Sequence, residues 1–205
     1  MALLGWAAPD GAEVLTRDEL VAQFSVDRVN AAPAIFDPAR LDALNGQHIR
    51  RLPDPALADA LRPWLPCVDE PLLTAVLPVL RERLPRLDAA PGLVAPVTGE
   101  PAWDEALAWP PERVDAETAA ALLDAAVAAV GQGGLDDIEA LRAELTAVLE
   151  GRGVRARHGF RVLYVAVLGA TQGLPVFDVM RLIGPERSAE RLRAARARLG
   201  VAGAA

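Results

Sequence analysis

Arginine is the residue type whose chemistry and placement are most informative in this sequence. All 21 basic residues among the 205 are arginine, and there is no lysine. Mechanisms that need a lysine within these residues, such as Walker-type phosphate binding and Schiff-base catalysis, are therefore excluded. A guanidinium group instead presents a rigid fork of hydrogen-bond donors that fits phosphate oxygens. Where the arginines concentrate therefore indicates where phosphate groups could bind.

The charge is divided unevenly along the chain. Residues 1–140 carry 10 Arg against 23 acidic residues, a net charge of -13, whereas residues 141–205 carry 11 Arg against 5 acidic residues, a net charge of +6. A polyanion responds to a local basic surface even when the overall charge is -7. The last third of the chain is therefore the region expected to face phosphates. A helical tail with solvated arginines is the alternative that these counts leave open.

The sequence predicts neither a metal site nor a bound cofactor. The two histidines, His48 and His158, lie far apart and have no cysteine or acidic residue at metal-ligand spacing around them. Gly131 to Gly134 has neither a preceding strand nor the G-x-G-x-x-G spacing, so we interpret it as a hinge. The single Cys67 cannot form an internal disulfide, and neither an export signal nor an apolar run of membrane-spanning length is visible. We expect a soluble, cytoplasmic protein.

Helical signals account for most of the chain. Thr16 and Glu19 have the spacing of a capping box, and Asp37-Pro38 places an N-cap acid before an N1 proline. The segment from Phe160 to Leu168 is ambiguous, because its β-branched and aromatic residues could also form a buried strand. No second segment could pair with such a strand, which favours a helix. We therefore predict an all-α fold, a helical bundle or superhelical array.

A subdomain boundary is predicted near the middle of the chain. Residues 88–111 are dense in proline, glycine and polar side chains, which is typical of a connector with at most short helical pieces. This connector would separate a first helical subdomain, residues 1–87, from a second, residues 112–205.

Two helices are expected to be interrupted. Pro78 lies inside the helix predicted from Glu70 to Leu84 and should kink or divide it, because proline lacks a backbone N–H and clashes with the preceding turn. Near the carboxyl end, Gly184 should end one helix and Pro185 should begin the last one.

Collinear motifs extend over nearly the whole chain. They are Leu4-Gly5-Trp6, Phe24 to Asn30, Ala32-Pro33-Ala34 with Phe36-Asp37, Leu44-Asn45-Gly46-Gln47 with Ile49-Arg50, Leu80-Arg81-Glu82-Arg83, Val165 to Gly169, Gly173 to Phe177, and Ile183 to Arg187 with Arg191-Leu192. In this order they resemble the carboxy-terminal, tRNA-reading portion of bacterial glutamyl-tRNA synthetases. Similarity that is long and collinear is more specific than any single short motif.

The resemblance implies that the first subdomain is stem-contact-like with the first anticodon-binding helices, that the second completes the anticodon-binding region, and that the partner is tRNA(Glu). Anticodon loops are recognised as splayed bases, stacked on aromatic or guanidinium planes, with phosphates held by arginine. The residues implied to bind tRNA are Arg81, Arg83, Arg155, Arg157, Gly173, Leu174 and Pro175.

These candidates differ in the role expected of each. Arg81 and Arg83 lie two apart on a helix and point roughly 200° apart, so we expect Arg81 to reach RNA and Arg83 to support the fold. The turn from Gly173 to Pro175 matches one that offers backbone groups and an apolar edge to a base. Arg155 and Arg157, with the adjacent histidine, could join an RNA-facing surface.

Some features depart from the family pattern. Ala43 replaces a usual tryptophan, and Tyr164 and Leu168 replace an arginine-threonine pair. The His-Ile-Gly-His signature and the lysine of the mobile loop are both missing, so residues 1–205 are not expected to activate glutamate on their own.

Three hypotheses about function follow from these observations. The chain could be a tRNA-binding module, either paired with a separate catalytic half of a split synthetase or retained as a paralogue. It could instead be a non-catalytic regulatory or protein-interaction paralogue without tRNA specificity. A degenerate product that folds without a selected function is the third.

Overall fold

The computed structural model describes residues 2–30, 35–103 and 106–200, and in these residues the chain is helical without strands. The Ala32-Pro33-Ala34 motif lies outside them. The α-helices are α1 (Arg17–Gln23), α2 (Pro38–Arg51), α3 (Asp54–Leu61), α4 (Glu70–Arg83), α5 (Ala90–Thr98), α6 (Ala116–Gly131), α7 (Ile138–Glu150), α8 (Ala156–Leu168) and α9 (Val176–Ala197). The prediction of an all-α fold is confirmed.

Local capping fixes where several helices begin. Thr16 and Glu19 form the predicted capping box: the Thr16 hydroxyl accepts from the Glu19 N–H at 3.2 Å, and the Glu19 carboxylate accepts from the Thr16 N–H at 2.7 Å. The Asp37 carboxylate accepts from the second residue of α2, and Asp115 caps α6 by accepting from Thr118 N–H at 2.7 Å. These bonds satisfy donors that the first turn of a helix otherwise leaves free.

The ambiguous segment from Phe160 to Leu168 is helical, as predicted, and forms most of α8. Its apolar side chains pack against α6, α7 and α9, so one helix buries what would otherwise have needed a neighbouring strand. Gly159 is essential to this packing, because a Cβ there would lie 2.2 Å from a methyl group of Leu149 in α7. The helix ends at Gly169, whose φ of 72° is left-handed.

The two predicted interruptions have different outcomes. Gly184 has φ 84° and ψ 168°, which breaks α9 into two helical segments with Pro185 at the start of the second, as predicted. Pro78 does not divide its helix, because α4 continues through it; a kink at Pro78 stays a prediction. Pro78 is exposed, so water can satisfy the carbonyl that loses its helical partner.

A continuous hydrophobic core extends from Ile49 in α2 to Ala195 in α9. The central helix α6 packs against α7, α8 and α9. The predicted connector contributes to this core through Ala90, Val94 and Val97 of α5, which are buried. The division into residues 1–87 and 112–205 stays a prediction.

The buried Arg191 joins α9 to α5. The Arg191 side chain, only 3% exposed, donates to the carbonyl oxygens of Pro96 at 2.7 Å, of Val167 at 3.0 Å and of Gly99. Three elements are thereby held at one point. None of the helices in the described part of the chain is both long and apolar enough to cross a membrane.

Candidate nucleic-acid interface

An open groove of about 490 Å³ lies where four elements meet. It is lined by Arg83 at the end of α4, Leu93 of α5, Tyr164 of α8, and the loop residues Thr171, Gln172 and Gly173 before α9. We call this feature the Tyr164 groove. Two residues that the sequence singled out for RNA binding, Arg83 and Gly173, therefore lie on the same surface.

The end of α4 that carries Arg83 is held by α2. A Cβ at Gly46 would lie 3.1 Å from the carbonyl oxygen of Leu84, so glycine permits the close approach of the two helices. The neighbouring Asn45 donates its side-chain N–H to the Pro85 carbonyl at 2.7 Å. The Asn45-Gly46 pair thus fixes the position from which Arg83 projects.

The opposite wall of the groove depends on a compact loop. Gly169 lies so close to the Ala102 carbonyl that a Cβ would be 2.3 Å from its oxygen. A Cβ at Gly173 would be 2.7 Å from a methyl group of Leu168. Leu174 is fully buried and anchors the loop in the core.

The groove contains the chemical groups that single-stranded RNA requires. Tyr164 is half-buried and offers an aromatic ring, Gln172 offers an amide, and Thr171 offers a hydroxyl. An aromatic ring can stack on any base, whereas an amide can pair with the polar edge of one. With the Arg83 guanidinium nearby, the lining can hold a base and an adjoining phosphate.

The surroundings of Arg81 and Arg83 differ from those expected for an RNA-facing Arg81 and a structural Arg83. The Arg81 side chain is 16% exposed and forms an ion pair with Asp54. It also donates to the carbonyl oxygens of Arg50, at 3.0 Å, and of Leu52. Arg83 is exposed and makes no hydrogen bond or ion pair within the described residues. The guanidinium available to a ligand is therefore that of Arg83, and Arg81 braces α4 against the end of α2.

The predicted turn from Gly173 to Pro175 is only partly accessible. Leu174 was expected to offer an apolar edge to a base, but its side chain has no exposed surface and packs in the core. Pro175 is half-buried and immediately precedes α9. Gly173 is the residue of this turn that lines the groove. Leu168, one of the departures from the family pattern, is buried as well.

A second basic surface lies at the other end of α8. Arg155 and Arg157 line a shallow depression of about 340 Å³ with His158 and Arg113. They are nine and seven residues before Tyr164, so they lie roughly 10–14 Å from it along one helix axis. The structure thus brings Arg155 and Arg157 together, but not into the Tyr164 groove.

The sequence patterns did not indicate several residues of these surfaces. Arg113 has a φ of 71° in the segment before α6, and no helical period relates it to Arg155. Gln172 and Thr171 lie in a loop beside the family-like turn, where only the folded chain shows that they face Tyr164. Within the described residues there is no group of three or more His, Cys, Asp or Glu side chains that could hold a metal ion.

The chain is similar to known proteins in sequence and in structure. Residues 56–196 match the anticodon binding domain family. A glutamate–tRNA ligase of Roseiflexus sp. (strain RS-1) is 36% identical over 209 residues, which cover 97% of this chain and 41% of the ligase. A glutamate–tRNA ligase of Acidothermus cellulolyticus is 38% identical over 218 residues, covering 100% of this chain and 43% of the ligase. The chain therefore spans about two fifths of the length of these relatives.

Solved structures share the fold. The crystal structure of a glutamate tRNA ligase from Elizabethkingia meningosepticum, in complex with its amino acid, superposes with a TM-score of 0.69 at 21% identity, over 97% of this chain and 40% of that one. The glutamate-tRNA synthetase of Elizabethkingia anophelis gives a TM-score of 0.67 at 20% identity, over 96% of this chain and 39% of that one. At this identity the likeness establishes the fold.

Proposed function

The chain belongs to the anticodon-binding domain family, and we propose that it binds the anticodon loop of a tRNA in the Tyr164 groove. The observation that carries this proposal is the convergence of Arg83, Tyr164 and Gly173 on one open surface of about 490 Å³. Family membership favours this function over that of a protein-interaction paralogue without tRNA specificity.

Each group in the groove has a specific part in the proposal. Tyr164 stacks on an unpaired base, which supplies affinity without sequence preference. Gln172 hydrogen-bonds to the polar edge of that base, which supplies preference. Arg83 holds a phosphate or a neighbouring base from the end of α4. In this role Tyr164 takes the place of an arginine in the family pattern, so a ring replaces a guanidinium plane.

We further propose that the tRNA is tRNA(Glu), because the curated relatives described above are glutamate–tRNA ligases. The two class I signature motifs do not occur in residues 1–205. Activation of glutamate would therefore require a catalytic segment, either in the same polypeptide or in a separate one. The candidates Arg155, Arg157 and Pro175 remain part of the proposed RNA-facing surface.

Binding of fluorescent tRNA(Glu) and of a non-cognate tRNA, measured by anisotropy, tests the proposal. Tyr164→Ala should weaken binding of tRNA(Glu) by about 5- to 150-fold, since stacking of one base on an aromatic ring contributes about 1–3 kcal/mol. Tyr164→Phe keeps the ring and should bind nearly as wild type does. Arg83→Ala should also weaken binding, whereas Arg62→Ala serves as a control, because Arg62 lies at the C-cap of α3 and pairs with Glu70.

The outcome separates the tRNA-binding module from the protein-interaction paralogue, two of the three hypotheses that follow from the sequence. Preference for tRNA(Glu) that Tyr164→Ala reduces would support recognition in the groove. Equal binding of both tRNAs, or none at low salt, would overturn this function and favour the protein-interaction paralogue. Preference that is insensitive to Arg83 and Tyr164 would place recognition elsewhere on the chain.

A further inference from the structure

A local concentration of positive charge outside the Tyr164 groove surrounds His158. Four arginines lie close enough to affect this histidine electrostatically: Arg113, Arg155, Arg157 and Arg161. All four are exposed. Three of them come from the first two turns of α8 and its N-cap, and Arg113 comes from the segment before α6. We call this set the His158 cluster.

The cluster has no internal counter-charge. No ion pair involves any of its four arginines within the part of the chain that the structure describes. The contact that one of them makes is to the histidine itself: Arg157 donates from Nε to His158 Nε2 at 3.2 Å. That contact requires an unprotonated Nε2, so the ring accepts a hydrogen bond and does not add to the charge.

The excess of positive charge also affects the pKa of His158. Its pKa lies below the ordinary value, first because of partial desolvation and then because of the charges of Arg157, Arg113, Arg161 and Arg155. The first turn of α8 contains no acidic residue, and the N-terminal end of a helix is itself partly positive. Like charges gathered without a partner repel one another, and an anion placed among them removes that repulsion.

We propose that the His158 cluster binds phosphate groups of an RNA backbone and that it does so without reading bases. The lining residues of the depression are Arg113, Gly153, Val154, Arg155, Arg157 and His158. They supply guanidinium donors but no side-chain amide, hydroxyl or carboxylate that could pair with the polar edge of a base. Such a lining recognises phosphates in any sequence. The choice of RNA as the source of the phosphate rests on the function proposed for the Tyr164 groove.

The position of the cluster suggests a separate role in RNA binding for each of the two surfaces. Both surfaces take residues from α8: Arg155 and Arg157 precede Tyr164 by roughly 10–14 Å along the helix axis, and Arg161 precedes it by about 4.5 Å. A rigid helix therefore holds a base-binding groove and a phosphate-binding cluster at a fixed spacing. The cluster contributes affinity and orientation for any RNA, whereas the groove contributes preference.

The salt dependence of tRNA binding tests the cluster directly. Arg155→Gln with Arg157→Gln should weaken binding of tRNA(Glu) and of a non-cognate tRNA by the same factor. On a plot of the logarithm of the association constant against the logarithm of the salt concentration, the double variant should also give a shallower slope. The magnitude of the slope should fall by about 1.4–1.8, since each phosphate contact contributes about 0.7–0.9. Arg113→Gln should reduce the slope by about half as much. The matched control is Arg181→Gln with Arg193→Gln, which removes two exposed arginines from α9 and leaves the cluster intact.

A second readout does not depend on tRNA. The His158 pKa is measured by NMR with and without tripolyphosphate, in wild type and in the Arg155→Gln, Arg157→Gln variant. The phosphate should raise the pKa of the wild-type imidazole, because it offsets the neighbouring guanidinium charges, and should raise it less in the variant. Unchanged circular dichroism confirms that the variants fold.

The outcomes distinguish the cluster from the groove. If the double variant binds tRNA as tightly as wild type and with the same salt slope, phosphate binding by the His158 cluster is overturned. The function proposed for the Tyr164 groove is not affected by this result. A tripolyphosphate-dependent rise in the His158 pKa without tRNA binding at any salt would show an anion site, but it would overturn both RNA as the ligand of the cluster and the function proposed for the groove. Absence of both effects would overturn both.

Discussion

Arg81 and Arg83, at one end of the same helix, have different surroundings. Helical geometry correctly indicates that Arg81 and Arg83 point in different directions. It does not indicate which direction leads to solvent, because that depends on how the chain between α2 and α3 is placed. There, the carbonyl oxygens of Arg50 and Leu52 and the Asp54 carboxylate face Arg81. Only the folded structure brings these acceptors together.

This assignment predicts a separation of stability from binding. Arg81→Ala should lower the free energy of unfolding by about 1–3 kcal/mol, because it leaves partly buried carbonyl groups without a donor. Arg83→Ala should change stability by no more than about 0.5 kcal/mol, since its side chain makes no such contact. Urea denaturation followed by circular dichroism measures both. Equal destabilisation by the two variants would contradict the assignment.

Helices, in contrast to single side chains, were largely accessible to prediction. The capping box at Thr16, the Asp37 cap and the break at Gly184 are local signals, and each is found where the sequence places it. The connector, residues 88–111, shows where such signals are insufficient. It contains α5, in which Pro91 lies in the first turn and Pro96 lies further along. Burial of Val94 and Val97 in the shared core supports this helix despite its prolines.

The loop that forms one wall of the Tyr164 groove gives a prediction at this scale. Gly169→Ala should destabilise the fold by about 1–3 kcal/mol or more, because the residue has a φ of 72° and a new Cβ would meet the Ala102 carbonyl. Gly92→Ala is the control: it lies in α5, nothing is within 4 Å of its added Cβ, and helix propensity favours alanine by about 1 kcal/mol.

Thermal denaturation of both glycine variants makes the comparison, with tRNA binding as a second measurement. Gly169→Ala should also weaken binding, because displacement of the loop moves Gln172 and Gly173 away from Tyr164. A stability equal to wild type in Gly169→Ala would show that the loop and Ala102 can separate without cost.

At the scale of the whole molecule, charge is distributed unevenly along the chain, whereas the hydrophobic core is continuous. The excess of arginine in residues 141–205 was visible in the sequence, and both proposed RNA-facing surfaces draw residues from that region. α5, which lies within residues 88–111, packs against both α4 and α9. Composition shows where polar and helix-breaking residues lie. It does not show whether helices distant in the sequence bury the short apolar stretches between them.

We therefore expect the core to unfold as one cooperative unit. Arg191 supports this coupling, since it lies in α9 and donates to the carbonyl oxygens of Pro96, Val167 and Gly99. Scanning calorimetry should give a calorimetric enthalpy equal to the van't Hoff enthalpy, with coincident transitions by circular dichroism and tryptophan fluorescence. Two separate transitions would instead support the predicted division into residues 1–87 and 112–205.

Replacement of the buried arginine tests what holds the unit together. Arg191→Met should destabilise the protein by about 3 kcal/mol or more, because several hydrogen bonds from a charged group, each contributing about 1.5–3 kcal/mol, are lost and their carbonyl acceptors stay buried. Arg193→Met is the matched control, since Arg193 is exposed two positions along the same helix. If Arg191→Met unfolds in two steps where wild type unfolds in one, the arginine couples the two halves. If it unfolds in one step at nearly wild-type stability, apolar packing alone accounts for the cooperativity.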